Sequence, residues 1–235
     1  MQDSWSRFGP SMSRRRGTTA FSPLSLTNLR AWYKSDVGIT IATGVSQWDD
    51  QSGNGNHLVQ AVGGAQPVVT AAAINGLPAI TFDGVDDRMA VAFALVQPIT
   101  VFAVVRQDTW VSTRYLWDGA TSDTMRCFQQ TATPGISIAA GSTIGPNNNL
   151  AVATFGLITA VYDGASGALQ INSTAETAGA IGAGNGGGIT LGARANGTVP
   201  GNIAFAEVIV MAANATAGER ASMRAYSQAR YGVGA

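Results

Sequence analysis

The chain has 235 residues with 14 basic and 14 acidic side chains, and 12% of its residues are charged while 46% are hydrophobic. This composition excludes a disordered chain, because there is ample apolar surface to bury. A single cysteine and a single histidine exclude a disulfide scaffold and a His/Cys zinc site, and 29 glycines without a three-residue period favour a β-protein rich in turns over collagen.

Residues 1–22 are predicted to form an extended basic arm ahead of a body that spans residues 23–235. Residues 1–34 carry a net charge of +5 in a chain whose total charge is zero, so the rest of the chain is acidic. A short arginine run in front of an acidic body fits protein docking better than nucleic-acid binding. A terminus without any docking role is the alternative. The predicted partner-binding residues of the arm are Trp5, Phe8, Arg14, Arg15, Arg16 and Phe21.

From residue 26 onward, short β-branched and aromatic runs alternate with turn signals, as is typical of an antiparallel β-sandwich or jelly roll. The clearest strand covers residues 99–106, Ile-Thr-Val-Phe-Ala-Val-Val-Arg, and is predicted to be central. Asp-Gly and Asn-Gly dipeptides predict tight turns at 75–76, 83–84, 118–119, 163–164 and 196–197. Further strands are predicted at 79–82, 114–117, 136–139, 157–162, 168–171, 189–191 and 203–211.

One helix is predicted near the carboxyl end of the sequence. Thr216 and Glu219 have the spacing of a capping box, and Gly232 is suited to the position after the last turn. A single helix after a sandwich is expected to close one end or one edge of the sheets.

Several segments resemble a known superfamily: Leu-Arg-Ala-Trp-Tyr-Lys-Ser-Asp at 29–36, Trp-Asp-Asp-Gln-Ser-Gly-Asn-Gly-Asn at 48–56, Asn-Gly-Leu-Pro-Ala-Ile-Thr-Phe-Asp-Gly at 75–84, and Ile-Ala-Phe-Ala-Glu-Val-Ile-Val at 203–210, with Glu-Arg at 219–220 and Ala-Arg-Tyr-Gly-Val at 229–233. They are similar to the concanavalin A-like lectin/glucanase superfamily in its laminin-G-like branch, over roughly residues 29–233. The resemblance implies an all-β antiparallel jelly-roll sandwich.

Stand-alone modules of this branch resemble accessory proteins of tailed-phage virions. The resemblance therefore implies a non-enzymatic virion structural protein, either capsid-decorating or tail-associated, that is made in the host cytoplasm and displayed on the virion surface. Its expected partners are other virion proteins, held through the arm, and a second copy of the chain; no nucleic-acid or membrane partner is expected.

A carbohydrate-binding module that adheres to a cell-surface glycan is the alternative function. Such a site would present aromatic and Asn side chains on exposed loops, where they can stack on sugars and bond hydroxyl groups. Trp117 could instead belong to the core. The candidate glycan-binding residues are Trp110, Trp117, Asn147, Asn148 and Asn149.

No catalytic residue is predicted, although a degenerate glycan hydrolase remains a third alternative. A glycosidase needs two carboxylates across the scissile bond, and this chain has only Glu176, Glu207 and Glu219, none of them close to another in sequence. Glu207 lies in a predicted strand and is expected to face solvent or to pair with an arginine such as Arg88 or Arg106. The lone imidazole, His57, and the lone thiol, Cys127, are interpreted as structural.

No cofactor is expected, with calcium as the one alternative. Asp49 and Asp50 lie in one loop and Asp83, Asp86 and Asp87 in another, and clustered carboxylates are the ligands that Ca²⁺ prefers. The competing interpretation is that Asp49 and Asp83 accept backbone N–H groups and stabilise turns.

Overall fold

The computed structural model of the protein describes residues 21–235, so Trp5, Phe8 and Arg14 to Arg16 of the predicted arm lie outside the described residues. The boundary between arm and body stays a prediction. The described residues form one α-helix, α1 (Ala217–Tyr231), and seventeen strands. The strands are β1 (Leu29–Lys34), β2 (Ile39–Ile41), β3 (Val45–Trp48), β4 (Leu58–Val59), β5 (Val68–Ile74), β6 (Leu77–Asp83), β7 (Met89–Ala92), β8 (Ile99–Gln107), β9 (Tyr115–Asp118), β10 (Arg126–Gln129), β11 (Ile136–Ala139), β12 (Thr143–Asn147), β13 (Phe155–Tyr162), β14 (Gly167–Ile171), β15 (Thr177–Gly179), β16 (Gly188–Leu191) and β17 (Asn202–Met211).

The strands form two antiparallel sheets. The eight-stranded sheet has the order β15-β14-β13-β8-β17-β6-β5, with β1 also paired to β17. The nine-stranded sheet has the order β12-β11-β10-β9-β16-β7-β4-β3-β2. This arrangement confirms the predicted all-β antiparallel sandwich, and β8 occupies the predicted central position between β13 and β17.

Strand β8 is apolar on both faces because each face packs against a different layer. Val101, Ala103 and Val105 belong to the main core between the sheets. Phe102 and Val104 point the opposite way, into a second cluster on the outer face of the eight-stranded sheet. The period-2 geometry of a strand therefore explains why this run shows no polar alternation.

Helix α1 covers that outer face. Its capping box is confirmed, since the Thr216 hydroxyl accepts the Glu219 N–H and the Glu219 carboxylate accepts the Thr216 N–H. Met223 and Tyr231 of the helix share the second apolar cluster with Phe102. The helix thus lies on a face of the sandwich, and the expectation that it closes an end or edge was wrong, because the outward side chains of β8 and β17 are apolar and require a cover.

The outer face of the nine-stranded sheet is built differently. It carries a small separate apolar cluster of Tyr115, Phe128 and Ala139, with Val199 packed against it. No helix of the described residues lies on this cluster, and polar side chains surround it instead. Within residues 21–235, the helical segments include none with the length and hydropathy needed to cross a membrane.

Candidate functional site

An aromatic pair forms the floor of a polar site on the outer face of the nine-stranded sheet. Tyr115 of β9 and Phe128 of β10 are register partners, and their ring centroids lie 5.7 Å apart. The Arg126 guanidinium lies over the Phe128 ring at 4.7 Å from its centroid, which is the geometry of a cation–π contact. We define the outer-sheet cluster as Tyr115, Asp123, Arg126, Phe128 and Arg194.

Asp123 connects the polar members of the outer-sheet cluster. Its Oδ1 accepts the Tyr115 hydroxyl and lies 3.3 Å from Arg126 Nη1, which also donates to the Tyr115 oxygen at 3.2 Å. Its Oδ2 pairs with Arg194 Nη2. The side chains of Arg126, Asp123 and Arg194 remain 27%, 31% and 34% exposed, so the ionic layer faces solvent above the buried rings.

A buried carboxyl group beneath the cluster holds its two loops. Asp118 Oδ2 accepts the backbone N–H of Asp123 at 2.9 Å and that of Ala195 at 3.2 Å, and Oδ1 accepts the N–H of Gly119 at 2.8 Å. Burial raises the pKa of Asp118, although the backbone hydrogen bonds oppose this effect. Asp118 therefore positions Asp123 and Arg194 without facing solvent itself.

The two arginines of the cluster have unused donors. Among the described residues, neither Arg126 Nε nor Arg194 Nε has a hydrogen-bond partner, and both atoms are buried. A buried unpartnered donor is uncommon in a folded protein and calls for a physical explanation. Together the layer offers guanidinium donors and a carboxylate acceptor, which is the chemistry that binds polar, hydroxyl-rich ligands.

Two of the predicted glycan residues meet at the turn between β10 and β11. Trp110 Nε1 donates to the carbonyl of Gly135 at 3.0 Å, and Asn148 Oδ1 lies 2.9 Å from where a Cβ atom on Gly135 would be. The Trp110 side chain is partly exposed and Asn148 is exposed. These two residues therefore lie at the opposite end of β10 from Arg126, on the same sheet.

The other glycan candidates are not assembled into a surface site. Trp117 is fully buried and its Nε1 donates to the Tyr162 hydroxyl at 3.0 Å, so it belongs to the core and cannot stack on a glycan from the surface. Asn147 is buried, and its Oδ1 accepts the side-chain amide of the exposed Asn149 at 2.8 Å.

A second region with functional groups is the groove between α1 and the β5–β6 hairpin, which we call the helix groove. Its volume is about 720 Å³. Phe21, the described residue of the predicted arm that reaches it, packs edge-to-face against Tyr226 with the ring centroids 6.1 Å apart. The groove is lined by Phe21, Asn75, Leu77, Ser222, Ala225, Tyr226, Ala229 and Arg230.

Glu207 lies behind the helix groove. The expectation that it faces solvent or pairs with Arg88 or Arg106 was wrong, because it is 1% exposed under α1. Its Oε1 accepts Trp32 Nε1 and the Tyr226 hydroxyl, the latter at 3.0 Å, while the buried Oε2 has no partner among residues 21–235. Burial raises the pKa of this carboxyl above its ordinary value.

A second carboxylate, Asp36, bonds a residue of the same groove, and its pKa is shifted in the opposite direction from that of Glu207. Asp36 Oδ2 accepts Arg230 Nη2 at 2.7 Å. Partial burial works against ionisation, but the ion pair with Arg230 dominates and lowers the pKa of Asp36. The two carboxyl groups of this region therefore differ: burial raises the pKa of Glu207, and the ion pair with Arg230 lowers the pKa of Asp36.

The structure brings one of the two predicted calcium clusters together. Ligand atoms of Asp83, Asp86 and Asp87 lie within 4.8 Å of one another. Burial, together with the neighbouring charges of Asp83 and Asp86, raises the pKa of Asp87 to about 6 against the hydrogen bond from the Asp83 N–H. Asp83 Oδ1 also accepts the Val85 N–H, as the turn-stabilising interpretation predicts, and calcium binding stays a prediction.

The other loop is organised by hydrogen bonds. Asp50 accepts the backbone N–H groups of Trp32, Ser52 and Asn56. Asp49 was expected to accept a backbone N–H, but among the described residues its side chain accepts the Gln47 side-chain amide, and the backbone donors go to Asp50 instead. His57 Nδ1 accepts the Asp50 N–H at 3.1 Å. These contacts account for the two carboxyl groups and the imidazole as structural elements, and Cys127 is buried in the core as expected.

Sequence reasoning missed the outer-sheet cluster because its members are far apart in the chain. Tyr115, Arg126 and Arg194 meet only through the pairing of β9 with β10 and with β16. One signal was available: Arg126 and Phe128 flank Cys127 at strand spacing, which places a cation beside an aromatic ring on the face opposite the thiol.

No protein-family model matches this chain, and no curated protein does either. Solved structures do match. A Trypanosoma rangeli sialidase in complex with 2,3-difluoro-KDN has a TM-score of 0.61 at 12% identity, covering 86% of this chain and 33% of the sialidase. The same sialidase in complex with sialic acid gives a TM-score of 0.54 at 11% identity over 86% of this chain and 33% of that one. An arabinofuranosidase complexed with arabinofuranosyl-α-1,2-xylobiose gives 0.57 at 15% identity, covering 75% of this chain and 48% of the enzyme.

At these identities the likeness shows the fold alone, and this chain spans about a third to a half of the length of those proteins. The expectation of a non-enzymatic phage structural protein is nevertheless contradicted, because the matching structures named above are a sialidase and an arabinofuranosidase, which are glycosidases. The phage setting has no support from them. The superfamily resemblance, the arm's partners, the oligomeric state and the location of the protein stay predictions.

Proposed function

We propose that this chain is a glycan-recognising β-sandwich of a carbohydrate-active protein and that the outer-sheet cluster is its binding site. One observation carries the proposal: two guanidinium groups and a carboxylate, each about a third exposed, bond one another above a buried aromatic pair. Sugar hydroxyls both donate and accept hydrogen bonds, so a recognition layer needs donors and an acceptor held in fixed positions.

The rigid support of this layer favours recognition over an incidental surface ion pair. Asp118 holds both loops from below, and the Phe128 ring supports the Arg126 guanidinium. Side chains positioned in this way lose little conformational freedom on binding, which lowers the entropic cost of the complex. The structures that share the fold support the same ligand class, since those proteins were solved with sialic acid or with an arabinofuranosyl-xylobiose.

Glycan binding is tested with the full chain on a panel of immobilised oligosaccharides, with matched variants on the two sheets. Arg126→Ala should abolish binding of any glycan that the unmodified chain retains. Arg106→Ala is the control, because Arg106 is also paired with an aspartate, Asp108, and also lies over an aromatic ring, Phe155, at 4.8 Å. Equal retention by both variants, or no glycan bound by the unmodified chain, would overturn the proposal.

Glycoside hydrolysis at the helix groove is a second candidate function. The observation that favours it is that two carboxyl groups bond residues of the groove lining: Glu207 bonds Tyr226, and Asp36 bonds Arg230. Burial raises the pKa of Glu207, and the ion pair with Arg230 lowers that of Asp36 despite partial burial. Glycosidases use one protonated and one ionised carboxyl group in this way. Glu207 reaches the groove only through Tyr226, which bonds its Oε1 and lines the groove, so Tyr226 would have to move for a sugar to meet the acid.

Hydrolysis is tested by release of 4-nitrophenol from a panel of 4-nitrophenyl glycosides. Turnover by the unmodified chain that is lost in both Glu207→Gln and Asp36→Asn would support hydrolysis at the helix groove. Turnover that persists in both variants, or no turnover of any glycoside, would remove this candidate and leave the binding proposal intact.

A further inference from the structure

The solvent-facing layer of the outer-sheet cluster has more positive than negative charge. Two guanidinium groups, those of Arg126 and Arg194, share the single carboxylate of Asp123. Arg88 adds nothing to this surplus: its Nη1 donates to the Ala195 carbonyl at 3.0 Å, and two acidic residues, Asp86 and Asp87, directly precede it in the chain. Asp118 is buried beneath this layer, and its carboxyl oxygens accept three backbone N–H groups. It therefore does not face a ligand.

The two exposed arginines also keep donors free. Toward the described residues, Arg126 bonds only through Nη1 and Arg194 only through Nη2. The buried Nε atom of each lacks a partner there. The donors that a ligand can reach are Arg126 Nη2 and Arg194 Nη1, which make no hydrogen bond among the described residues and are not buried. A guanidinium matches the oxygens of a carboxylate in geometry as well as charge.

We propose that the outer-sheet cluster binds the carboxylate of an acidic sugar, either a uronic or a sialic acid residue. This inference rests on the proposed glycan-binding function and names the class of glycan that the site selects. A ligand carboxylate would accept hydrogen bonds from Arg126 Nη2 and Arg194 Nη1 and would balance the surplus positive charge of the solvent-facing layer. A neutral sugar could accept the same hydrogen bonds but would leave that charge unbalanced.

Substitution of Asp123 should change the affinity for an acidic sugar in a direction that a purely structural role of this residue would not predict. Its carboxylate competes with a ligand carboxylate for the same two guanidinium groups, so Asp123→Asn should strengthen the binding of an acidic sugar. The substitution keeps the size of the side chain, and asparagine tolerates the left-handed backbone conformation of this residue, at a φ of 67°. Loss of the variant's fold is therefore not expected.

The experiment measures the affinity of the full chain by calorimetry for two matched pairs of probes. One pair is oligogalacturonate and its methyl ester, which removes the charge and keeps the sugar chain. The other pair is sialyllactose and lactose. We expect the charged member of at least one pair to bind about tenfold more tightly than its neutral partner, and the pair that shows this preference identifies a uronic or a sialic acid as the source.

Three variants complete the measurement. Arg194→Gln should remove the preference for the charged probe, Asp123→Asn should increase it by about threefold, and Arg106→Gln on the other sheet should leave it unchanged. Because added salt screens exposed charges, the preference should also decrease with ionic strength.

The outcomes separate this inference from the function beneath it. Equal binding of the charged and neutral probes, or a preference that survives Arg194→Gln, would overturn the acidic-sugar assignment and leave glycan binding standing. Binding of no probe, charged or neutral, together with no hit on the oligosaccharide panel, would overturn both.

Discussion

The outer-sheet cluster and the helix groove use the same kinds of groups in opposite surroundings. In the cluster, Asp123 is about a third exposed and is shared by two arginines. Behind the groove, Glu207 is buried and bonded by Trp32 and Tyr226, while the nearby Arg230 pairs with Asp36 instead. Solvation distinguishes the two carboxyl groups: Asp123 lies in a solvent-facing layer beside free donors, whereas burial raises the pKa of Glu207.

Removal of the buried acid gives the largest expected change on the groove side of this comparison. Glu207→Ala leaves the Trp32 N–H and the Tyr226 hydroxyl without their acceptor and opens a cavity beneath α1. We expect a loss of about 3 kcal/mol in the free energy of unfolding, measured by urea denaturation. Glu207→Gln, which retains an acceptor oxygen, is the matched variant; equal destabilisation by the two substitutions would show that these hydrogen bonds do not stabilise the helix layer.

The supporting carboxyl group of the other site is the next test. Asp118→Ala leaves three backbone N–H groups without an acceptor, so we expect about 2 kcal/mol of destabilisation together with loss of glycan binding. Asp108→Ala, at a partly exposed ion pair on the other sheet, should cost less than about 1 kcal/mol and leave binding unchanged. Full glycan affinity in the Asp118 variant would mean that the loops do not need this support.

The pH dependence of stability sharpens the contrast between the two regions. Because burial raises the pKa of Glu207 in the folded state, the native protein binds a proton more tightly than the unfolded chain does. The contribution of Glu207 is therefore fully present below the unfolded value of 4.5 and is lost as the pH rises through the folded pKa.

Glu207→Gln should remove this dependence, so its stability relative to the unmodified chain should improve from pH 4 to pH 8. Denaturation midpoints at several pH values measure the difference. A difference that stays constant with pH would contradict the assignment of a raised pKa.

The acidic cluster of Asp83, Asp86 and Asp87 gives the smallest expected effect. Since the pKa of Asp87 is about 6, raised from 3.8 by burial and by its two neighbours, its charge destabilises the fold above that pH. Asp87→Asn should therefore stabilise the protein by about 1 kcal/mol at pH 7.5 and have little effect below the unfolded pKa of 3.8, with the gain growing as the pH rises from there through about 6.

If the cluster binds calcium, millimolar Ca²⁺ after EDTA treatment should raise the melting temperature of the unmodified chain and not that of the Asp87 variant. An unchanged midpoint in the unmodified chain would remove the calcium prediction and leave the pH prediction standing.

Local signals in the sequence predicted much of the fold. Thr216 and Glu219 predicted the start of α1, and the β-branched run of β8 predicted a central strand. The Asn75-Gly76 dipeptide predicted a tight turn, and both residues have the positive φ that a hairpin turn of this kind requires. Such features depend on residues that are neighbours in the chain, which is why a single sequence reveals them.

The candidate sites depend on long-range packing and were missed for that reason. Glu207 was expected at the surface, because nothing near it in sequence indicates that α1 returns to cover β17. Trp117 and Trp110 were both candidates for glycan stacking, yet Trp117 is buried in the core and Trp110 borders the β10–β11 turn. The approach of Arg194 to Asp123 depends on two loops that only the folded sheet brings together.

The most direct test of the central claim is a backbone NMR titration of the full chain with the best-bound acidic oligosaccharide. Binding at the outer-sheet cluster predicts saturable shift changes in the amides of residues 119–128 and 193–198, with none in residues 222–231 of α1. Shift changes confined to α1 and to the β5–β6 hairpin would place the glycan in the helix groove and contradict the assignment of the outer-sheet cluster as the binding site.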